Sequence, residues 1–170
     1  TFVARSVDTH TEHLQGTLER AGYHRGSAFI EVLQNCNIFN DGAWRSFTDR
    51  EVRDDKMLVL EHGRPMIFGK DRDQGIRLRG LRPEVVRIGV DGITESDILV
   101  HDQHAEDPTL AFVLSRMFAP DFPVPVGVIR DVTRPTHDEL LTAQLAAAVE
   151  QRGEGNLEKL LNGGETWTVE

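Results

Sequence analysis

Ser27-Ala28-Phe29-Ile30-Glu31-Val32-Leu33-Gln34-Asn35-Cys36 is a nearly continuous apolar run, followed at once by the turn-rich Asn37-Ile38-Phe39-Asn40-Asp41-Gly42. Aromatic and β-branched residues in a six-residue run, Ala28 to Leu33, predict a strand. Upstream, Phe2-Val3-Ala4 reads as a second short strand, and Thr9-x-x-Glu12 carries a capping-box pattern. Thr11, Leu14, Leu18 and Ala21 follow at helical spacing, with Gly22 and Gly26 as stops. Residues 1–36 therefore predict strand–helix–strand, the repeating unit of a parallel sheet. The unbroken apolar character of 28–33 predicts a strand covered on both faces. Its carboxyl end, at Cys36, is where open α/β sheets face their ligands.

Downstream the character changes. Trp44 and Phe47 read as buried anchors of an irregular segment. Met57–Leu60 and Met66–Phe68 flank Glu61-His62-Gly63-Arg64-Pro65 and predict a hairpin. Short strands are expected at 75–78, 85–88 and 98–100, and a helix from Thr109 to Met117. Val124–Arg130 is a further strand, with Pro125 placing it at a sheet edge or at the strand's start. Thr136-x-x-Glu139 is a second capping box, opening a helix to about Gln151 that is expected to bury Leu141, Leu145, Ala148 and Val149. Gly153 is its expected stop, and residues 156–161 add one helical turn.

The bulk numbers exclude several classes. With 170 residues and 39% hydrophobic content the chain suits one domain, or a domain with an appendage. A formal charge of −9 argues against a nucleic-acid surface, which needs clustered Lys and Arg. No stretch approaches the ~20 apolar residues of a membrane span, and no secretory leader is visible. A lone cysteine permits no intrachain disulfide and fits a reducing, cytoplasmic setting. The chain reads as strand from Thr1-Phe2-Val3-Ala4-Arg5 onward, as expected of the C-terminal portion of a longer protein.

Cys36 alone admits three readings: a buried small side chain, a nucleophile, or one ligand of a metal centre completed from elsewhere. No Gly-x-Cys-x-Gly elbow surrounds it. Zinc and iron–sulfur sites take about four ligands, and one cysteine supplies one. Glu31, an acid inside an apolar strand, either faces a cofactor pocket or points to a helix N-terminus or solvent, and the second is the expectation. His10-x-x-His13 and His101-x-x-His104 have metal-compatible spacing, but the first pair is expected on the helix surface and the second in a solvated loop. The Arg-rich stretch Arg72–Arg87 interleaves with carboxylates and predicts a salt-bridged surface rather than a CoA phosphate or ferredoxin contact.

The wording of three ordered segments goes further. Ala28–Asn40, with its strand-end Cys36 followed by Asn37-Ile38-Phe39-Asn40, resembles the β subunit of 2-oxoacid:ferredoxin oxidoreductases, thiamine-diphosphate- and iron–sulfur-dependent enzymes. Thr1–Arg5 resembles the preceding strand of that family, and Phe122–Arg130 with Arg134-Pro135-Thr136 resembles an element near the end of the subunit. Asn35 stands where the family often has Pro, and residues 55–105 carry no transferable motif. Among members the likeness is to the 2-oxoglutarate type. The family's Gly-Asp-Gly diphosphate motif and its other cysteines are not in the chain.

The resemblance implies an α/β fold: residues 1–54 as the C-terminal part of a thiamine-diphosphate-binding parallel-sheet domain, and 55–170 as a C-terminal extension of short strands and helices. It implies oxidative decarboxylation of 2-oxoglutarate with CoA to succinyl-CoA and CO2, reducing ferredoxin. Pyruvate or another 2-oxo acid as substrate, or a non-catalytic docking segment, are the alternatives. Implied cofactors are thiamine diphosphate, Mg2+ and a [4Fe–4S] cluster, with Cys36 as one cluster ligand. Implied partners are the enzyme's α subunit, ferredoxin, the 2-oxo acid and CoA. No catalytic acid or base is assigned.

Overall fold

The structure is a computed structural model that describes residues 1–164, 166, 167 and 169. The contacts group Thr1–Arg134 into one compact unit and Pro135–Glu170 into another.

The first unit is built on a four-stranded sheet. Strand β1 (Phe2–Val7), helix α1 (Thr11–Tyr23) and strand β2 (Ala28–Leu33) form the expected unit, with β1 and β2 parallel and Phe2 opposite Ala28. Short helices α2 (Arg45–Thr48) and α3 (Arg53–Lys56) follow, then β3 (Met57–Leu60). Strands β4 (Ile67–Phe68), β5 (Gln74–Arg79) and β6 (Arg82–Arg87) make a separate antiparallel sheet. Helix α4 (Thr109–Arg116) then leads to β7 (Val124–Asp131). The large sheet runs β2-β1-β7-β3 and is mixed, β7 being antiparallel to β1 and parallel to β3. Residues 1–54 and 55–134 therefore share one sheet.

Side-chain alternation sorts the two faces. Phe2, Ala4 and Val128 pack with Ile30 and with Ala21 of α1. The main core joins Leu58, Leu60 and Ile129 to Ile76 and Val86 of the small sheet and to Leu114 of α4. A third cluster gathers Val7, Leu33, Phe47, Met57, Val124 and Val126, with Trp44 and Phe118 packed against it. Trp44, Phe47 and Phe118 meet with ring centroids 5.5–5.9 Å apart, so the two predicted anchors do anchor the segment after Cys36.

Several expectations change. Met57–Leu60 and Met66–Phe68 do not form a hairpin, because β3 joins the large sheet and β4 the small one. Of the two places expected for Pro125, the structure takes the strand's start and not the sheet edge: β7 is an interior strand, and Pro125 lies opposite Leu58. Thr9 caps nothing: the helix begins at Thr11, with His10 at the N-cap and no side-chain bond. Residues 98–100 form only an isolated bridge, Pro65 to Val100. Strand β2 is not covered on both faces. It is an edge strand, and Phe29 and Val32 are exposed.

The second unit carries α5 (His137–Arg152) and α6 (Leu157–Leu161). Here the capping box is made as the sequence predicts. The Glu139 N–H donates to Thr136 Oγ1 at 3.2 Å, and the Thr136 N–H donates to Glu139 Oε2 at 2.8 Å. Gly153 ends the helix at φ +79°, a left-handed value that suits glycine. Leu141, Leu145, Ala148 and Val149 are exposed rather than buried, since the unit offers only the five-residue α6 as a companion. No helix among the described residues is long and apolar enough to cross a membrane.

Candidate metal centre

Cys36 lies three residues beyond the carboxyl end of β2, in a loop fixed from several sides. The Asn40 N–H donates to the Cys36 carbonyl at 3.0 Å, closing a tight bridge over residues 36–40. Asn35, just before the cysteine, pins both flanks. Its backbone N–H donates to Asp8 Oδ2 at 3.1 Å, at the end of β1. Its side-chain amide donates to Asp41 Oδ1 at 2.9 Å and accepts from the Gly42 N–H at 2.8 Å. Gly42 adopts φ +78°, which lets the chain turn back towards Asn35. The Trp44 indole N–H donates to the Gln34 carbonyl at 3.1 Å, tying the loop to the aromatic cluster.

The result is an exposed thiol with donors aimed at it. The backbone N–H groups of Phe39 and Ile38 hold the Cys36 thiol below its ordinary pKa, and that of Asn40 acts in the same direction. Hydrogen bonds to the charged form are what favour a thiolate. Ile38 and Phe39 are 81% and 91% exposed, so the donor loop also presents two large apolar side chains outward. Within these residues Cys36 is exposed, unlike the buried small side chain of the first reading.

The loop fits one corner of a metal cluster and no more. Among the described residues no group of three or more His, Cys, Asp or Glu is placed to hold a metal ion. A thiolate supported by backbone N–H donors and flanked by apolar side chains is the setting that tunes an iron–sulfur cluster. The remaining ligands of such a cluster lie outside these residues.

The other candidates go elsewhere. Glu31 lies on the solvent side of the sheet, one of its two expected places, with its side chain 44% exposed. Its carboxylate accepts from Arg5 Nε at 2.6 Å, across the β1–β2 pair. Arg5 is buried, donates to the Ser115 carbonyl at 3.0 Å and lies 5.7 Å from the centre of the Phe118 ring. The pair thus braces β2 against α4. His10 and His13 are half-buried rather than on the surface, stacked 5.3 Å apart, with Ser6 Oγ 2.8 Å from His13 Nδ1. Burial pushes both imidazoles below their ordinary pKa.

His101 is not in a solvated loop. It is fully buried, and its Nε2–H donates to the Val128 carbonyl at 2.8 Å, while burial depresses its pKa. His104 donates from Nδ1 to the Asp131 carbonyl at 2.6 Å. The Arg-rich stretch is salt-bridged in part: Arg77 meets Glu84 at 3.0 Å and Arg87 meets Asp73 at 2.7 Å, while Arg72 and Arg82 have no carboxylate within 4.0 Å among the described residues. Sequence reasoning missed the Asn35 staple. Its signal was Asn35 six residues before the Asp41-Gly42 turn, legible only once the loop is known to close on itself.

No family model matches the chain. The whole chain is 36% identical to the 2-oxoglutarate oxidoreductase subunit KorB of Mycobacterium tuberculosis and spans 46% of that protein's length. It is 38% identical over 52 residues to the 2-oxoacid:ferredoxin oxidoreductase subunit beta of Saccharolobus solfataricus, a match over 31% of this chain and 17% of that one. A 41-residue match to the beta subunit of 2-oxoacid:ferredoxin oxidoreductase 1 of Aeropyrum pernix is 49% identical and covers 24% of this chain and 13% of that one. In structure, 98% of the chain aligns with 41% of a chain of the 2-oxoglutarate:ferredoxin oxidoreductase from Magnetococcus marinus, solved with 2-oxoglutarate, coenzyme A and succinyl-CoA bound. The TM-score is 0.52 at 17% identity, a likeness of fold. From end to end the chain is similar to KorB, of which it spans about half the length, and in part it is similar to the β subunits of 2-oxoacid:ferredoxin oxidoreductases.

Proposed function

We propose that the chain is the C-terminal portion of the β subunit of a 2-oxoglutarate:ferredoxin oxidoreductase, and that Cys36 gives one thiolate to its [4Fe–4S] cluster. The reaction converts 2-oxoglutarate, CoA and two oxidised ferredoxins to succinyl-CoA, CO2, a proton and two reduced ferredoxins. Thiamine diphosphate with Mg2+ and the cluster, when bound, supply the electron sink and the one-electron relay that join a decarboxylation to a one-electron carrier. In this reading the parallel pair β1–β2 is the end of the thiamine-diphosphate domain, and the other cluster ligands and the diphosphate motif come from the rest of the subunit. The α subunit and ferredoxin are the partners.

The chain's own residues have defined tasks. Cys36 holds the cluster by its thiolate. The N–H groups of Ile38, Phe39 and Asn40 share the thiolate's negative charge, which favours the more reduced cluster. Ile38 and Phe39 would give that corner of the cluster an apolar border. Arg5 and Glu31 hold β2, and with it the loop, in a fixed position against α4.

The observation that carries this reading is an exposed thiol, lowered in pKa by its own loop, within a chain 36% identical to KorB along its whole length. Replacing Cys36→Ala in the complete enzyme should remove the reduced-cluster EPR signal and lower the iron content. An unchanged signal would sink the ligand assignment and leave this segment as a docking module. Turnover of the complete enzyme with 2-oxoglutarate, pyruvate and branched-chain 2-oxo acids decides the substrate.

A further inference from the structure

A cleft of about 630 Å³ runs along the free edge of β3, within the first unit and with no residue in common with the Cys36 loop. Its size is that of a small-molecule site. Buried Met57, Ile67 and Phe68 give it an apolar wall. Four cations line it: Arg53, Arg64, Lys70 and Arg72. Arg53 has Asp54 at 4.0 Å, whereas Arg64, Lys70 and Arg72 have no carboxylate within 4.0 Å among the described residues. Of the neighbouring strands' arginines, Arg77, Arg79 and Arg87 meet Glu84 or Asp73, whereas Arg82 has no carboxylate within 4.0 Å among the described residues. Three cations without an ion pair thus line one concavity.

The turn that carries two of them is built for the purpose. Gly69 has φ +95° and Arg72 has φ +53°, a left-handed backbone that a non-glycine residue rarely adopts. Such strain persists where the surroundings over-determine it. Here the Gly69 N–H donates to the Asp54 carbonyl at 2.9 Å, and the Lys70 N–H to Asp55 Oδ1 at 2.8 Å. The Arg72 N–H closes the turn on the Gly69 carbonyl at 2.9 Å. The backbone at Lys70 and Arg72 is thereby fixed beside the cleft. His10 also lines the cleft, and its Nδ1 is buried without a hydrogen-bond partner among the described residues.

The lining is mixed, since Asp54, Glu61 and Glu95 are part of it. Carboxylates accept hydrogen bonds and cannot donate them, so they suit ligand hydroxyl or amino groups. Three cations along one cleft exceed what one carboxylate needs and suit a phosphate group with its several oxygens. We propose that this cleft binds a phosphorylated small molecule of the nucleotide class. Its phosphates would meet Arg64, Lys70 and Arg72, its hydroxyls would meet Glu61 and Glu95, and its flat apolar part would lie along Ile67 and Phe68.

Isothermal titration calorimetry of the purified protein with ADP, inorganic pyrophosphate and citrate tests this. ADP is expected to bind one-to-one, and citrate, a carboxylate polyanion, more weakly. Arg64→Ala and Lys70→Ala should each weaken ADP by about tenfold or more. Arg72→Gly removes the guanidinium from a backbone that glycine prefers, so it should weaken ADP without lowering the melting temperature. Arg79→Ala, outside the cleft, should leave binding unchanged. The proposal is overturned by absence of ADP binding, by ADP binding indifferent to the three cleft variants, or by citrate binding as tightly as ADP. Pyrophosphate binding without ADP binding would likewise remove the nucleotide class.

Discussion

Strands β2 and β7 carry similar sequences and meet opposite fates. Ala-Phe-Ile-Glu-Val-Leu and Val-Pro-Val-Gly-Val-Ile are both near-continuous apolar runs. The first six residues of β7 are buried, whereas in β2 only Leu33 is. The difference is one of neighbours: β7 has a strand on each side, while β2 has β1 alone. An apolar strand reports that cover is needed, and it does not say who provides it. In β2 the uncovered side chains lead directly into the Cys36 loop, where Ile38 and Phe39 are more exposed still. The apolar surface and the candidate ligand thus lie at one edge of the sheet.

The largest expected effect separates the two strands by truncation. Ile129→Ala, in the main core, should lose about 2–5 kcal/mol of stability in urea unfolding. Phe29→Ala on the exposed face of β2 should change it by about 0.5 kcal/mol or less. Equal losses would mean that β2 is covered in solution by something the chain itself supplies. Next comes Gly127→Ala. Gly127 has φ +109°, and an added Cβ would lie 2.9 Å from the Leu60 carbonyl oxygen. A loss of about 1–3 kcal/mol follows from that backbone strain, and a neutral result would show that β7 relaxes there.

The pH dependence of stability is a third test. His101 sits under β7 with its pKa depressed, so the unfolded chain takes up the proton first. His10 and His13 act in the same direction. Stability should therefore fall as pH drops through about 6.5 and below. His101→Gln should flatten that slope, and an unchanged slope would assign the acid sensitivity to the other two imidazoles. The smallest effect is kinetic and belongs to β2. Cys36, exposed and lowered in pKa, should react with iodoacetamide near neutral pH faster than glutathione does. A slower reaction would mean that the N–H donors do not face the sulfur in solution.

Much of the local structure is legible in the sequence, and the sites are legible unevenly. The strand–helix–strand start, the Trp44–Phe47 anchor and the Thr136–Glu139 box follow from spacing and side-chain chemistry within a few residues. What fails is long-range. Met57–Leu60 looks like half of a hairpin because Met66–Phe68 is close in sequence, yet its partner is Val124–Gly127. His101 looks solvated because Asp102 and Gln103 are polar, yet Gln103 is buried with it and the imidazole bonds to β7. Cys36 could be named from wording, but its donors could not be, since they depend on how residues 36–40 close. The β3 cleft left no motif. Its cations come from separate segments, and only the turn at Gly69 brings Lys70 and Arg72 to it.

The placement of β7 beside β1 also sets a schedule. Phe2 lies opposite Asp131 and Val3 opposite Arg130, so the sheet cannot close until nearly all of the first unit has been made. On a ribosome adding about 5–20 residues per second, β1 and β2 wait on the order of ten seconds for their central partner. During that interval Phe2 and Ala4 lack the Val128 they pack against. An emerging chain of this design leaves the apolar β7-facing side of β1 open, and it is a natural client for a chaperone that shields extended apolar segments until residue 131 arrives.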